Sequence, residues 1–516
     1  MGKLRRLATR AYTFSLAAAS GVLLALSFPK FGHPALAWIA LAPLLLALAQ
    51  PVTLLRASAL GLTCGIIYFG GTLYWMTGVM SVYGGLGAIV AGVLNGAFVV
   101  YLALYVSIFA ILMRRFLVAH GPRALAVAPL VWTATEFGRA HLFTGFPWVL
   151  LGYSQATMLP IAQFASVLGV FGVSALVASA SAAIAGVALR RAYVPAAIVA
   201  ALVGAIAVWG GIRARDAALT RTGQPLRVGL VQGNVDQAQK WDVSRSVAIF
   251  GDYLNKTREA IGRGAALVLW PESSTPFRFE EDMMGAAQLR TLAKESGVPI
   301  LFGSDHVEWI GTGAARRVGK EFNSAFLVRA DGTTGGVYHK MHLVPWGEYV
   351  PLKDLLFFVG PLVQAIGTGF VAGTEPTLLP VGAHRVSVAI CYEVIYPDLV
   401  RRFVREGSEL LTTITNDAWF GPTSAPYQHF EQASMRAVEE GRYLVRAANT
   451  GVSGIVDPYG HVLERTGIYQ PAVVVGDVRL LTVATLYAQV GDVIAYASIA
   501  ATLALLVFRG PRRRVQ

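Results

Sequence analysis

Between Met1 and Arg215 the chain carries one carboxylate, Glu136; every other Asp and Glu lies from Asp216 onward. A water-facing surface is built from charges of both signs, whereas acids are costly against hydrocarbon and rare there. The same stretch is filled with apolar runs: Tyr12–Phe28, Pro34–Ala49, Ala57–Val79, Leu86–Met113, Ala124–Phe137, Ile161–Leu189 and Val194–Trp209, with one more, Asp492–Phe508, near the C-terminus. A helical span needs about 20 apolar residues, within ~17–25. The runs therefore predict an α-helical membrane bundle of about eight spans, several of them short or interrupted by Gly and Pro. The first run ends on Leu26-Ser27-Phe28-Pro29, without a small-residue cleavage pattern, and reads as an anchor. Composition agrees: 55% of the 516 residues are hydrophobic and 14% charged, against about 25% charged in a soluble protein.

The basic residues orient this bundle. Lys3, Arg5, Arg6 and Arg10 precede the first run, and Arg509, Arg512, Arg513 and Arg514 follow the last. Arg56, then Arg114, Arg115 and Arg123, then Arg190 and Arg191 fall in alternate loops, which marks that side as cytoplasmic. Arg213 to about Leu486 then lies outside the cytoplasm, in the periplasm of a bacterium. The net charge of +13 is accounted for by these flanks. No basic helix with interleaved aromatics is present, so nucleic acid is not an expected partner. Glu136 and Arg139 stand three apart and share a helical face; they read as a buried pair that packs the bundle, or as a polar lining where a substrate enters. The following Gly145-Phe146-Pro147-Trp148 and Gly152-Tyr153-Ser154 read as a re-entrant or interfacial loop facing the outer domain. Cys64 lies in an apolar run and Cys391 in the outer domain, so no disulfide is expected, and Cys391 stands out as a reactive thiol.

The outer part alternates strand and helix. Strands are expected at Leu226–Val231, Ala266–Trp270, Pro299–Gly303, Ser324–Arg329, Gly336–His339, Val386–Cys391, Glu409–Thr415 and Leu444–Ala448. Helices are expected at Val243–Ile261, Met283–Lys294, Tyr396–Arg405 and Tyr427–Glu440. Asp457-Pro458-Tyr459-Gly460 reads as a turn. The alternation predicts an α/β sandwich with helices covering sheets. The chain divides into 1–212, an N-terminal membrane bundle; 213–486, the catalytic domain; and 487–516, a last span with a basic tail.

Three polar residues follow apolar strands. Glu272 comes after Val268-Leu269-Trp270-Pro271, Lys340 after Val337-Tyr338-His339, and Cys391 after Val388-Ala389-Ile390. Open α/β sheets place ligands at the carboxyl ends of their strands. Singly, each has a plain alternative: a neighbour of a helix N-cap, a surface lysine, a small core residue. Together they form a chemical unit. A thiol of ordinary pKa, about 8.5, is a poor nucleophile until it loses its proton. A carboxylate can take that proton and an ammonium can stabilise the anion. The ammonium and the backbone N–H after the nucleophile can then hold a tetrahedral oxyanion.

The order Glu, Lys, Cys with these flanks resembles the nitrilase superfamily of carbon–nitrogen hydrolases. The matching segments are Trp270-Pro271-Glu272-Ser273, Tyr338-His339-Lys340-Met341-His342-Leu343-Val344-Pro345, Ile390-Cys391-Tyr392-Glu393, Asn416-Asp417-Ala418-Trp419-Phe420 and Arg446-Ala447-Ala448-Asn449-Thr450-Gly451. A membrane bundle before such a domain and a span after it resemble the apolipoprotein N-acyltransferases. So do Leu343-Val344-Pro345-Trp346-Gly347-Glu348-Tyr349-Val350-Pro351, Val231-Gln232-Gly233-Asn234 and Trp241; Trp346 departs from the more frequent Phe. The resemblance implies an αββα sandwich and a multi-pass enzyme of the bacterial inner membrane that finishes lipoprotein maturation. The donor would be a phospholipid, typically phosphatidylethanolamine, and the acceptor the α-amine of a diacylglyceryl-cysteine on an apolipoprotein. It implies Glu272 as base, Lys340 as oxyanion stabiliser and Cys391 as nucleophile. Glu348 would hydrogen-bond within the triad, and Tyr392 and Glu393 would shape the site.

The residues themselves point the same way. A thiol that attacks long acyl esters must sit at the lipid surface. Within Leu352–Phe370, the cluster Leu355-Leu356-Phe357-Phe358-Val359 lies between Pro351 and Pro361; it reads as an arm dipping into the interface, or as core. Trp241 reads equally as core or lid. No metal or cofactor is expected: His306, His339 and His342 form no ligand pattern, and no phosphate-binding glycine loop occurs. Two rivals remain. A membrane-tethered nitrilase-type amidase acting on a small amide would use the same triad. A transporter with an accessory domain is disfavoured by spans almost free of charge.

Overall fold

The computed structural model describes residues 2–236, 243–311, 316–349 and 369–507. All eight apolar runs contain helix: Gly2–Leu26, Pro34–Ala40 with Ala42–Ala49, Leu54–Leu73, Ala88–His120, Ala128–His141, Ala165–Arg190, Tyr193–Asp216 and Val493–Val507. Among the described residues, five helical stretches are long and apolar enough to cross a membrane, and Pro34–Ala49 and Val493–Val507 are shorter. The expected count of about eight is not reached on this measure. One of the five stretches runs Ala88–His120 and Ala128–His141 together through a 3-10 segment, Gly121–Val127, although Gly121 has φ +63° and the two helices pack on each other. Leu54–Leu73 packs on Ala88–His120 through Gly61 and Gly65. A Cβ on Gly61 would stand 2.6 Å from Ser107 Cα, and one on Gly65 2.7 Å from Ala103 Cα. Without a hydrophobic driving force in lipid, such close backbone approach supplies the packing.

The extramembrane strands are β1 (Gln224–Gln232), β2 (Leu267–Leu269), β3 (Ile300–Ile310), β4 (Arg317–Val328), β5 (Thr334–His339), β6 (Leu379–Val381), β7 (His384–Ile390), β8 (Leu410–Thr415), β9 (Leu444–Ala448), β10 (Gly454–Val456), β11 (Val462–Arg465) and β12 (Ala472–Leu480). They form two six-stranded sheets, ordered β12-β1-β2-β3-β4-β5 and β11-β10-β9-β8-β7-β6. β1, β2 and β3 run parallel, as do β7, β8 and β9; the remaining pairs are antiparallel. Helices Val243–Gly262 and Met283–Ser296 cover the first sheet, and Pro397–Arg405 and Ala425–Glu440 cover the second. The result is a helix–sheet–sheet–helix sandwich.

The two-residue period of a strand sorts the first sheet's side chains between two cores. Val228, Leu230, Leu267, Leu269, Leu301, Ala325 and Leu327 face the second sheet and join a core that continues into the bundle. Their neighbours Val268, Trp270, Ile300, Phe302, Phe326 and Val328 face outward into a separate core under the covering helices. The helix Ala425–Glu440 lies on the bundle. Its Gln428 accepts from Trp148 Nε1 at 2.7 Å and donates to the carbonyls of Pro29 and Thr72 at 2.9 and 3.2 Å. The sandwich is therefore seated on the membrane part through the helix that covers its second sheet.

Candidate active site

Glu272, Lys340 and Cys391 all emerge at strand ends, with β2 and β5 in one sheet and β7 in the other. Glu272 is reached through a tight turn in which Ser273 has φ +44°. That turn lies directly on β3: a Cβ on Gly303 would come 2.4 Å from Ser273 N and 2.7 Å from Glu272 Cα. Gly303 N–H donates to the Pro271 carbonyl at 3.1 Å, which fixes the turn in place. The backbone of Lys340 is held on both sides, donating to the Asn323 carbonyl at 2.9 Å and accepting from Gly373 N–H at 2.8 Å. β7 stops at Ile390, one residue earlier than the sequence suggests. Cys391 has φ +53° and opens a 3-10 turn, Cys391–Ile395. A left-handed backbone is unfavourable for a residue with a Cβ, and it cannot continue the strand.

The charged groups are buried together. Lys340 Nζ donates to Glu348 Oε1 at 2.8 Å and to Glu272 Oε1 at 3.4 Å. Asn323 Nδ2 donates to the same two carboxylate oxygens, each at 2.8 Å. Glu272 Oε2 accepts from Asn416 N–H at 2.9 Å, and Glu348 Oε2 from Val344 N–H at 2.7 Å. Burial pulls the Lys340 ammonium down, but the carboxylates of Glu348 and Glu272 outweigh it and hold the group above its ordinary value. Burial pushes the Cys391 thiol up, Glu272 adds to this, and Lys340 opposes it. The thiol thus stands between an ammonium that favours its ionisation and a glutamate that opposes it.

Glu393 ties the lysine and cysteine turns together. Its Oε1 accepts from Tyr338 hydroxyl at 2.7 Å and from the backbone N–H of Met341 and His342 at 2.7 and 3.0 Å; its Oε2 accepts from Ile390 N–H at 2.7 Å. Burial raises this carboxyl to about 7 while the donors pull against it. Tyr392 is buried, with its ring against Tyr396 and His342 and 6.3 Å from Phe146 of the bundle loop. Behind the cysteine, His429 Nε2 donates to the Cys391 carbonyl at 3.1 Å. His429 Nδ1 lies 3.0 Å from Asp417 Oδ1 and 2.9 Å from Arg446 Nη2, which donates to Asp417 Oδ2 at 2.9 Å. Thr415 hydroxyl donates to Asp417 Oδ1 at 2.8 Å.

The bundle supplies a wall of the site. Arg139 Nη1 donates to the carbonyls of Phe146 and Trp148 at 2.8 and 2.7 Å, and Glu136 Oε1 accepts from Leu151 N–H at 2.7 Å. The two buried side chains therefore clamp one loop from one helix. That loop faces the outer domain: Tyr396 hydroxyl donates to the Gly145 carbonyl at 3.0 Å, and Trp148 packs against Phe420 and His429.

Of the residues singled out by sequence, Glu272, Lys340, Cys391, Glu348, Tyr392 and Glu393 are brought together. Trp241, Phe357 and Phe358, with most of the 352–370 segment, lie outside the described residues. Asn323 and the Asp417, His429 and Arg446 cluster were missed as site residues. The signal for Asn323 is a polar pair, Asn323-Ser324, inside the apolar run of β4. His429 carries no local signal, because its helix reads only as amphipathic.

Residues 20–183 match the Apolipoprotein N-acyltransferase N-terminal domain family, and residues 227–487 the Carbon-nitrogen hydrolase family. An apolipoprotein N-acyltransferase of Geobacter metallireducens is 42% identical over 96% of this chain and 95% of its own length. That of Methylococcus capsulatus is 34% identical over 92% of each chain. Among solved structures, a Nesterenkonia amidase of the nitrilase superfamily covers 54% of this chain and 98% of its own, with 21% identity and a TM-score of 0.40. With both halves matched and such relatives aligned over nearly its whole length, the chain belongs to the apolipoprotein N-acyltransferase family.

Proposed function

We propose that this chain moves a fatty acyl chain from a phospholipid, with phosphatidylethanolamine as the expected donor, to the α-amine of the diacylglyceryl-cysteine of an apolipoprotein, through a thioester on Cys391. The observation that carries the chemistry is the convergence of Glu272 and Lys340 on Cys391, close enough that both charges act on its thiol. Family membership supports acyl transfer rather than the small-amide hydrolysis of the rival reading.

Glu272 takes the thiol proton as sulfur attacks the ester carbonyl. Lys340 and the Tyr392 backbone N–H hold the oxyanion. The tetrahedral intermediate breaks its C–O bond, the alkoxide takes the proton from Glu272, and a lysophospholipid leaves. The acceptor amine then attacks the thioester, Glu272 receives its proton, and the thiolate leaves and is reprotonated. One thiol serving two bulky lipid substrates in turn is a ping-pong scheme.

The chain divides in this reading into 1–212, 213–486 and 487–516. It sits in the bacterial inner membrane with the middle part in the periplasm, as the alternating loop charge supports. Trp241, Phe357 and Phe358 are assigned to the acyl-binding surface on their apolar character. Labelled phospholipid without acceptor should give labelled protein, about one acyl group per active site, lost in Cys391→Ala. A diacylated lipopeptide with a free α-amine should discharge it, and an N-acetylated one should not. Label reaching the acceptor without ever accumulating on wild-type enzyme, with lysophospholipid formed only when acceptor is present, would establish direct transfer instead. Mass spectrometry of a lipoprotein from depleted cells separates this activity from amide hydrolysis.

A further inference from the structure

We propose that His429 is a positioning residue that aims the oxyanion donor of the nucleophile turn. The proposal rests on the reading of Cys391 as nucleophile. The peptide after Cys391 is trans, so its C=O and the Tyr392 N–H lie in one plane and point in opposite directions. Fixing the carbonyl therefore fixes the N–H. His429 Nε2 is the group that fixes it, donating to the Cys391 carbonyl at 3.1 Å from a fully buried position. A carbonyl has no hydrogen to give, so the ring proton must be on Nε2.

On the far side of the ring Nδ1 lies 2.9 Å from Arg446 Nη2 and 3.0 Å from Asp417 Oδ1, so it accepts from the guanidinium in the neutral ring or donates to the carboxylate in the protonated one, and Nε2 carries its proton toward the Cys391 carbonyl in both. Burial and the Arg446 charge both lower the proton affinity of the ring, although Asp417 opposes them. Asp417 balances Arg446 through Oδ2 at 2.9 Å, and all three side chains are closed to solvent. A carboxylate and a guanidinium thus fix the imidazole in place, and its Nε2–H holds a backbone turn in the left-handed conformation at Cys391, where φ is +53°. The cluster touches no reacting atom through His429; it acts through the peptide plane.

The test uses two isosteric variants and two reactions of the same thiol. A glutamine amide reaches the Nε2 position, whereas an asparagine amide reaches only Nδ1. His429→Gln should keep the bond to Cys391 and acylate from labelled phospholipid within about 3-fold of wild type. His429→Asn should slow acyl-enzyme formation about 10- to 100-fold, a part of the ~10²–10³ lost when an oxyanion donor is removed outright, with KM for the phospholipid unchanged. Alkylation of Cys391 by iodoacetamide forms no oxyanion, so both variants should alkylate at the wild-type rate. Acylation by His429→Asn at the wild-type rate would overturn the proposal. So would equal slowing of acylation and alkylation, which would place the effect on the thiol or the fold. Cys391→Ala run alongside separates the two levels: if it still acylates, the nucleophile assignment fails, not the role of His429.

Discussion

Glu348 Oε1 accepts from Lys340 Nζ at 2.8 Å, an ion pair whose ammonium is buried and whose carboxylate is only partly covered. Glu272 is farther from the same ammonium, at 3.4 Å. Glu348 thereby neutralises the cation, which leaves Glu272 with less of its charge committed and better able to take a proton. A buried ammonium without a close counter-ion is costly, and with Glu348 removed it would draw Glu272 into a tighter pair. Glu348→Gln should therefore slow formation of the acyl-enzyme by about 10²–10³ at neutral pH, measured as burst rate with labelled phospholipid, while protein level and fold are retained.

The thiol should be slow to ionise. Burial and Glu272 raise it above its ordinary value against the pull of Lys340. A free cysteine levels off in alkylation rate above about pH 8.5; Cys391 should show a rate that still climbs at higher pH. Lys340→Met removes the cation that opposes this and should lower the rate further at every pH. Iodoacetamide labelling followed by intact mass reads both.

Arg139 should matter for the stability of the bundle as well as for the site. Its guanidinium holds the carbonyls of Phe146 and Trp148 in the buried loop. Arg139→Lys keeps the charge but loses the planar fork, and each charged hydrogen bond lost costs about 1.5–3 kcal/mol. Thermal unfolding in detergent should show a lower midpoint than wild type.

Acid should expose the Asp417 cluster. Burial raises this carboxyl, but Arg446 and His429 more than reverse it and hold it down at about 2. Its unfolded value is near 3.9. The native state therefore binds the proton less readily than the unfolded one, and the stabilisation is complete above the unfolded value and lost as pH falls through the folded one. The difference is worth roughly 2 kcal/mol. Wild type should be more stable than Asp417→Asn to denaturant at pH 5, and the gap should shrink as pH falls from 4 to 2.

Orientation is open to a direct test. A cysteine at Gly311, in a Cys64→Ala, Cys391→Ala background, should react with a membrane-impermeant thiol reagent in intact spheroplasts. Labelling only after lysis would reverse the assignment of the outer domain to the periplasm.

Charge and hydropathy mark in the sequence which segments are apolar enough to enter a bilayer, because transfer into hydrocarbon acts on each side chain separately. Strand period settles much of the sandwich: Leu267, Leu269 and Leu301 alternate with Val268, Trp270 and Ile300, and the two sets enter two cores. The strands β6, β10 and β11 are three or four residues long, too short for a periodic signal. Glu272, Lys340 and Cys391 were legible because each directly follows an apolar strand. What the sequence could not contain is the set of contacts between residues far apart in the chain. Asn323 bridges Glu272 and Glu348, and His429 meets the Cys391 carbonyl across 38 residues. The break at Gly121, with φ +63°, and the packing of Ala128–His141 back on Ala88–His120 are also visible only in the structure. The left-handed turn at Cys391 is likewise a tertiary outcome. No local preference favours φ +53° at a residue with a Cβ, so only the packed neighbours around it, His429 and Glu393 among them, can hold the nucleophile in that geometry.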